Sequence, residues 1–114
     1  MAEDALVRLR AICLALPQAT ERVTWDHPNF RVGEKIFTLV SLDAPISFCC
    51  KAPPGAQATL IGADPDRFYI PAYTGPTGWV GMRLADDPDW DEVTFLVRRS
   101  YKMTAPKRLA MQVE

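Results

Sequence analysis

Few side chains in this sequence carry the types and spacings that chemistry needs. His27 is the one histidine, with Asp26 beside it. A His–carboxylate pair can act as general base or metal ligand, but adjacent residues of an extended chain point to opposite sides. The expected role of His27 is therefore to open a strand. Cys13, Cys49 and Cys50 are the only thiols. An odd number with two adjacent is no disulfide framework, and together with a single histidine they match no zinc spacing. Cys13 and Cys50 read as small buried hydrophobes. A nucleophilic Cys49 would need a neighbour that lowers its pKa, and its strand supplies none. Asp86, Asp87, Asp89, Asp91 and Glu92 could attract a hard cation such as iron or calcium, but the glycine and distal glutamate of a calcium loop are missing. Acids at a helix start, where they complement the dipole, explain the cluster more simply. Gly75-Pro76-Thr77-Gly78 imitates a phosphate loop yet lacks the Gly-Lys-Ser/Thr ending and leads into a strand. No catalytic residue, metal ligand or cofactor is assigned.

Binding chemistry is better represented. Arg98, Arg99, Lys102, Lys107 and Arg108 follow one another with no acid between them, a patch suited to phosphates. A second set depends on one turn. Gly33-Glu34 between two runs of aromatic and β-branched residues predicts a type II′ hairpin, with Val32 opposite Lys35, Arg31 opposite Ile36 and Phe30 opposite Phe37. Alternation then sends Phe30, Val32, Phe37 and Leu39 to the core and Asn29, Arg31, Ile36, Thr38 and Val40 to the other face. Later strands add Ser47, Lys51, Trp79 and Arg83 to that open face. Cations around an exposed Trp suit a stacked base with neutralised phosphates. The plainer account is a solvated face with arginine stems over Trp79. Tyr73, in a proline-rich loop, fits either. The candidate contacts for nucleic acid or a protein partner are Asn29, Arg31, Lys35, Lys51, Trp79, Arg83, Lys102, Lys107 and Arg108.

These residues need a scaffold, and 114 residues suit one domain, 1–114. With 48% hydrophobic and 24% charged residues the composition is that of a globular protein. Ala5, Leu6, Leu9, Ile12, Cys13 and Leu16 mark an amphipathic helix over 3–16, with Glu3 and Asp4 at its start, ended by Pro17. Gln18 to Thr24 reads as a polar connection into the hairpin. Strands follow near 29–32, 35–42 and 46–51, then a helix over 56–63 burying Leu60 and Ile61, then strands near 67–70 and 78–84. Asp89 and Glu92 open a last main helix, in which Trp90, Val93, Val97 and Tyr101 form the buried stripe. Tyr101 is expected in the core with its hydroxyl at the surface, and Thr104 to cap a final short turn. The order α-β-β-β-α-β-β-α with short links predicts an α+β two-layer sandwich, a five-stranded antiparallel sheet with helices on one face.

Three segments in this order resemble the MmcQ/YjbR family of small bacterial proteins: Phe30-Arg31-Val32-Gly33-Glu34-Lys35-Ile36-Phe37, Gly78-Trp79-Val80-Gly81-Met82-Arg83-Leu84, and Ser100-Tyr101-Lys102-Met103-Thr104-Ala105-Pro106-Lys107. The resemblance extends to Leu16-Pro17 and Asp64-Pro65-Asp66-Arg67-Phe68. It implies a fold like that of type III secretion chaperones, related in shape to frataxin-like (CyaY-like) proteins, and the family's common label of DNA-binding protein. It transfers no catalytic residue. A non-enzymatic binding module is therefore expected, with DNA as first partner and a protein-interaction or chaperone-like adaptor, monomeric or dimeric, as the alternative. An enzyme or metal carrier ranks third. The net charge of −1 lacks the basic excess of dedicated nucleic-acid binders, so the distribution of charge must decide. No apolar run approaches the about 20 residues of a membrane span and the start is no signal peptide, so a cytoplasmic protein without membrane partner is expected.

Overall fold

The computed structural model describes residues 2–85 and 88–113, with side chains from residue 4. The roles expected of the Glu3, Asp86 and Asp87 side chains therefore lie outside the described residues. The first helix, α1 (Ala2–Leu14), buries Ala5, Leu9 and Cys13 at helical spacing and stops short of Pro17. Then come β1 (Ala19–Thr24), β2 (His27–Val32), β3 (Lys35–Ser41), β4 (Ser47–Cys50), α2 (Ala56–Ala63) and β5 (Phe68–Tyr69). A single 3-10 turn (Gly75–Thr77) precedes β6 (Val80–Arg83), and α3 (Trp90–Thr104) and α4 (Lys107–Ala110) complete the described elements. The strands form one sheet in the order β1-β2-β3-β4-β6-β5, antiparallel throughout.

α1 and α3 pack on each other and on one face of this sheet. Leu9 and Cys13 of α1 and Val93, Val97 and Tyr101 of α3 meet Phe30, Phe37, Phe48, Phe68 and Met82 there. Each large apolar side chain so buried contributes about 1.5–3 kcal/mol. Asp89 caps α3 as expected, its carboxylate accepting from the amides of Asp91 (3.0 Å) and Glu92 (3.3 Å). The α+β class and the antiparallel sheet agree with the sequence; five details differ.

The first is a sixth strand. Gln18–Thr24 is not a mere connection, since β1 pairs with β2 along its whole length, from Ala19 opposite Val32 to Thr24 opposite His27. Only Ala19 and Glu21 are half-buried and the rest of the strand is exposed, so no apolar period marks it. It closes on the two-residue turn Trp25-Asp26, both at positive φ (55° and 63°), which is type I′ geometry. Asn and Gly normally occupy that turn, and Trp is no signal for it.

The second is a bulge. Val32 faces Lys35 and Arg31 faces Ile36, as the Gly33 turn (φ 62°) requires, but Phe30 faces Thr38 and the ladder steps over Phe37. A one-residue slip exchanges the two faces for everything beyond it. Phe37, Thr38 and Val40 are therefore buried, and Leu39 turns to the other side opposite Asn29. The bulge is pinned from α3: Ser100 Oγ donates to the Phe37 carbonyl (2.6 Å) and accepts from the Lys51 amide (2.9 Å). The Phe37 ring meets Tyr101 edge-on at 5.3 Å.

The other three lie in the helices. The Tyr101 hydroxyl does not reach the surface but donates to the Pro17 carbonyl, tying α3 to the end of α1. Thr104 caps nothing: its hydroxyl donates back to the Ser100 carbonyl (2.8 Å), and Pro106 precedes α4. Leu60 and Ile61 are half-buried against the core rather than within it.

Candidate nucleic-acid interface

The outer face of the sheet, away from α1 and α3, carries Asn29, Arg31, Leu39, Ser47, Cys49, Gly81, Arg83 and Tyr69 by register. Little of it is available to a ligand. Asn29 is fully buried; its amide nitrogen donates to Thr24 Oγ1 (3.3 Å) and its carbonyl oxygen accepts from Arg31 Nε (2.8 Å). Arg22 makes a two-bond contact with Glu34 at 3.1 and 3.2 Å, which holds the Glu34 carboxyl below its usual range. The Tyr69 ring lies flat on Gly81, where any Cβ would collide with it, and its hydroxyl pairs with Ser47 Oγ at 2.7 Å. Arg83 sits over that ring at 4.8 Å and donates to the Asp66 carbonyl (3.1 Å).

Trp79 is no exposed platform. It is buried just before β6, its amide donating to the Thr74 carbonyl (3.4 Å) and its carbonyl accepting from Gln57 of α2 (2.6 Å). Gln57 also donates to the Gly75 carbonyl (2.9 Å), so α2 and the segment after β5 are tied to this part of the chain, a closure that strand alternation alone does not reveal. Thr38, also expected outside, faces the core because of the bulge.

The remaining candidates lie in the other layer. Lys102 is exposed near the end of α3, and Lys107 and Arg108 are exposed on α4. A groove between the β2–β3 turn and the α3–α4 corner is lined by Glu34, Lys35, Pro106 and Arg108, so the fold brings Lys35 and Arg108 together. Lys51 is half-buried directly after β4, beside α3. The sheet itself separates this group from Arg31 and Arg83, and the two halves of the candidate set do not merge.

The solvent face of α3 adds residues outside that set. Asp91, Thr94, Phe95, Arg98, Arg99 and Lys102 line a shallow groove of about 400 Å³. Phe95 is 59% exposed, and the Arg99 guanidinium stands 5.2 Å from its ring centre. Nε of Arg98 and Nε and Nη2 of Arg99 are buried and have no hydrogen-bond partner among the described residues. The signal was present in the sequence: Phe95 lies roughly opposite the Val93–Val97–Tyr101 stripe on a helical wheel and four residues before Arg99.

Nucleophile chemistry finds little support in the geometry. Burial pushes the Cys13 thiol up to about 12 and Cys49 up to about 11, and raises Cys50 as well. All three are free cysteines, and Cys49 and Cys50 face opposite sides of β4. His27 is exposed at the start of β2, with no side-chain hydrogen bond among the described residues. No group of three or more His, Cys, Asp or Glu among the described residues is placed to hold a metal. None of the described helices is long and apolar enough to cross a membrane.

A two-layer α+β domain with this strand order and these segments defines a class, and comparison with known proteins identifies it. The YjbR family model matches residues 14–103, and the chain belongs to that family. Its fold is similar to the crystal structure of Deinococcus radiodurans protein DR2400, which carries the family-model domain DUF419. The TM-score is 0.78 at 23% identity, over 86% of this chain and 76% of that one. No curated protein matches the sequence.

Proposed function

We propose that this YjbR-family domain is a non-enzymatic nucleic-acid-binding module that works through the solvent face of α3 and the α3–α4 corner, rather than through the sheet. The observation that carries this reading is the state of the arginines. Arg98 and Arg99 share a groove with Lys102, and their buried Nε atoms have no hydrogen-bond partner among the described residues, so a rotation of either side chain toward a phosphate breaks no hydrogen bond at Nε. Lys107, Arg108 and Lys35 extend the positive surface past the end of α3. A cation that meets a phosphate releases condensed counterions, which drives binding at low salt. The net charge of −1 gives no long-range help, so the affinity must come from this local cluster.

Fluorescence anisotropy with labelled DNA between about 50 and 200 mM salt tests the reading. Affinity should fall linearly on logarithmic axes, and the Arg98→Ala/Arg99→Ala/Lys102→Ala variant should flatten the slope by about 0.7–0.9 for each phosphate contact removed. Absence of binding at the lowest salt would end it.

A protein-interaction role is the second reading, and β1 favours it. This edge strand leaves Val23 65% exposed and ends at Trp25, which is 89% exposed. Light scattering over a concentration series would show a concentration-dependent mass if copies of the chain are the partner.

A further inference from the structure

Resting on that reading, we infer that the α3 groove takes a single-stranded rather than a duplex nucleic acid, with an unpaired base stacked on Phe95 and the flanking phosphates on Arg98, Arg99 and Lys102. An exposed aromatic residue by itself needs no explanation. Phe95 differs because it lies inside a concave, cation-lined surface with the Arg99 guanidinium over its ring. With Arg99 on one side, the exposed remainder of the ring is open to a second flat group, forming a guanidinium–phenyl–base layer.

A duplex cannot supply that group, because its bases are stacked on one another and present only their edges in the grooves. A free base presents a π-face of any sequence, which is how single-strand binders combine affinity with tolerance. Polarity along α3 orients the strand. Asp91 closes one end of the groove and repels phosphate, while Lys102 marks the other, so the backbone runs from Phe95 toward the α3–α4 corner. The seven helical steps from Phe95 to Lys102 span about 10 Å. That distance holds no more than about three nucleotides at the spacing they have along one strand of a duplex.

The test compares three fluorescein-labelled probes: an oligothymidine of about twelve nucleotides, an abasic strand of the same length, and a duplex of that length. Wild-type protein should bind the oligothymidine at least about fivefold more tightly than either of the others. Phe95→Ala should lose that same factor on oligothymidine and change the abasic and duplex affinities by less than about twofold. Phe95→Tyr, which keeps the ring, should restore oligothymidine binding, and Phe95→Gln should behave as alanine does. Phe95 is outside the core, and thermal melts should place all three variants with the wild type. Equal wild-type affinity for all three probes, or a uniform loss in Phe95→Ala, would overturn base stacking while leaving phosphate binding by this surface standing. If wild-type protein bound none of the probes at low salt, both would fall.

Discussion

On the outer face of the sheet, Arg22, Arg31 and Arg83 each donate to an acceptor of the protein itself. Along the α3 groove, the buried Nε atoms of Arg98 and Arg99 donate to none among the described residues. The two regions carry similar residues and look equally basic in the sequence. What separates them is commitment. An arginine held by a carboxylate, an amide oxygen or a backbone carbonyl must lose that bond before it can meet a ligand. The buried Nε atoms of Arg98 and Arg99 have no such bond to lose. Charge on a surface becomes a binding site only where the fold has not already used it.

The largest expected effect concerns the pin that decides which residues face outward. Ser100→Ala removes partners from the Phe37 carbonyl and the Lys51 amide together, and should cost about 2–4 kcal/mol in a urea titration. Wild-type stability in that variant would show that α3 does not set the register of β3. The direct test of the two arginine groups is a crossed pair of measurements. Arg31→Ala and Arg83→Ala should each lower stability by about 0.5–1.5 kcal/mol and leave DNA affinity within about twofold. Arg98→Ala and Arg99→Ala should do the reverse, with stability within about 0.5 kcal/mol of wild type and weaker binding. Equal loss of binding from both pairs would erase the distinction.

Smaller effects sharpen the outline. Trp25→Asn relieves an aromatic residue held at φ 55° and should raise stability by about 0.5–1 kcal/mol in a thermal melt. A loss instead would mean that the Trp25 ring packs against something in solution. The smallest effect is on the acid limb. Arg67 bonds Asp64 (2.6 Å) and Glu92 (2.7 Å), and the Asp64 carboxyl is lowered from its ordinary value by the Arg67 hydrogen bond. A carboxyl whose folded pKa is depressed contributes stability above its unfolded pKa, and loses it as pH falls through the folded value. Arg67→Met should therefore flatten the fall in stability below about pH 4, with little change at neutrality because the pair is exposed. Parallel acid limbs in the two proteins would show that the pair is not what titrates there.

Local signals in the sequence read well where one residue type has one physical meaning. Gly33 named its turn because φ 62° is easy for glycine, and Asp89 named the start of α3 because a carboxylate there meets two free amides. Val80, Met82 and Leu84 alternated as a strand and are all buried. β1 was not legible, because an edge strand needs no apolar period and Trp25-Asp26 breaks the usual turn chemistry. The site was legible as a stretch of cations and not as a place. Lys102, Lys107 and Arg108 lie where the charge pattern puts them, but Asn29 and Trp79 were drawn from an alternation that says nothing of what folds over a strand.

The sequence by itself determined the α+β class, the family, the buried stripe of α3 and the concentration of positive charge after residue 98, because periodicity, capping and composition are local properties. Tertiary structure alone decided the bulge at Phe37, the burial of Trp79 and Asn29, and which arginines hold buried donors without a partner among the described residues. Each of those depends on a partner distant in sequence, Ser100 for the bulge and Gln57 for the carbonyl of Trp79, and such pairings exist only once the chain has closed on itself.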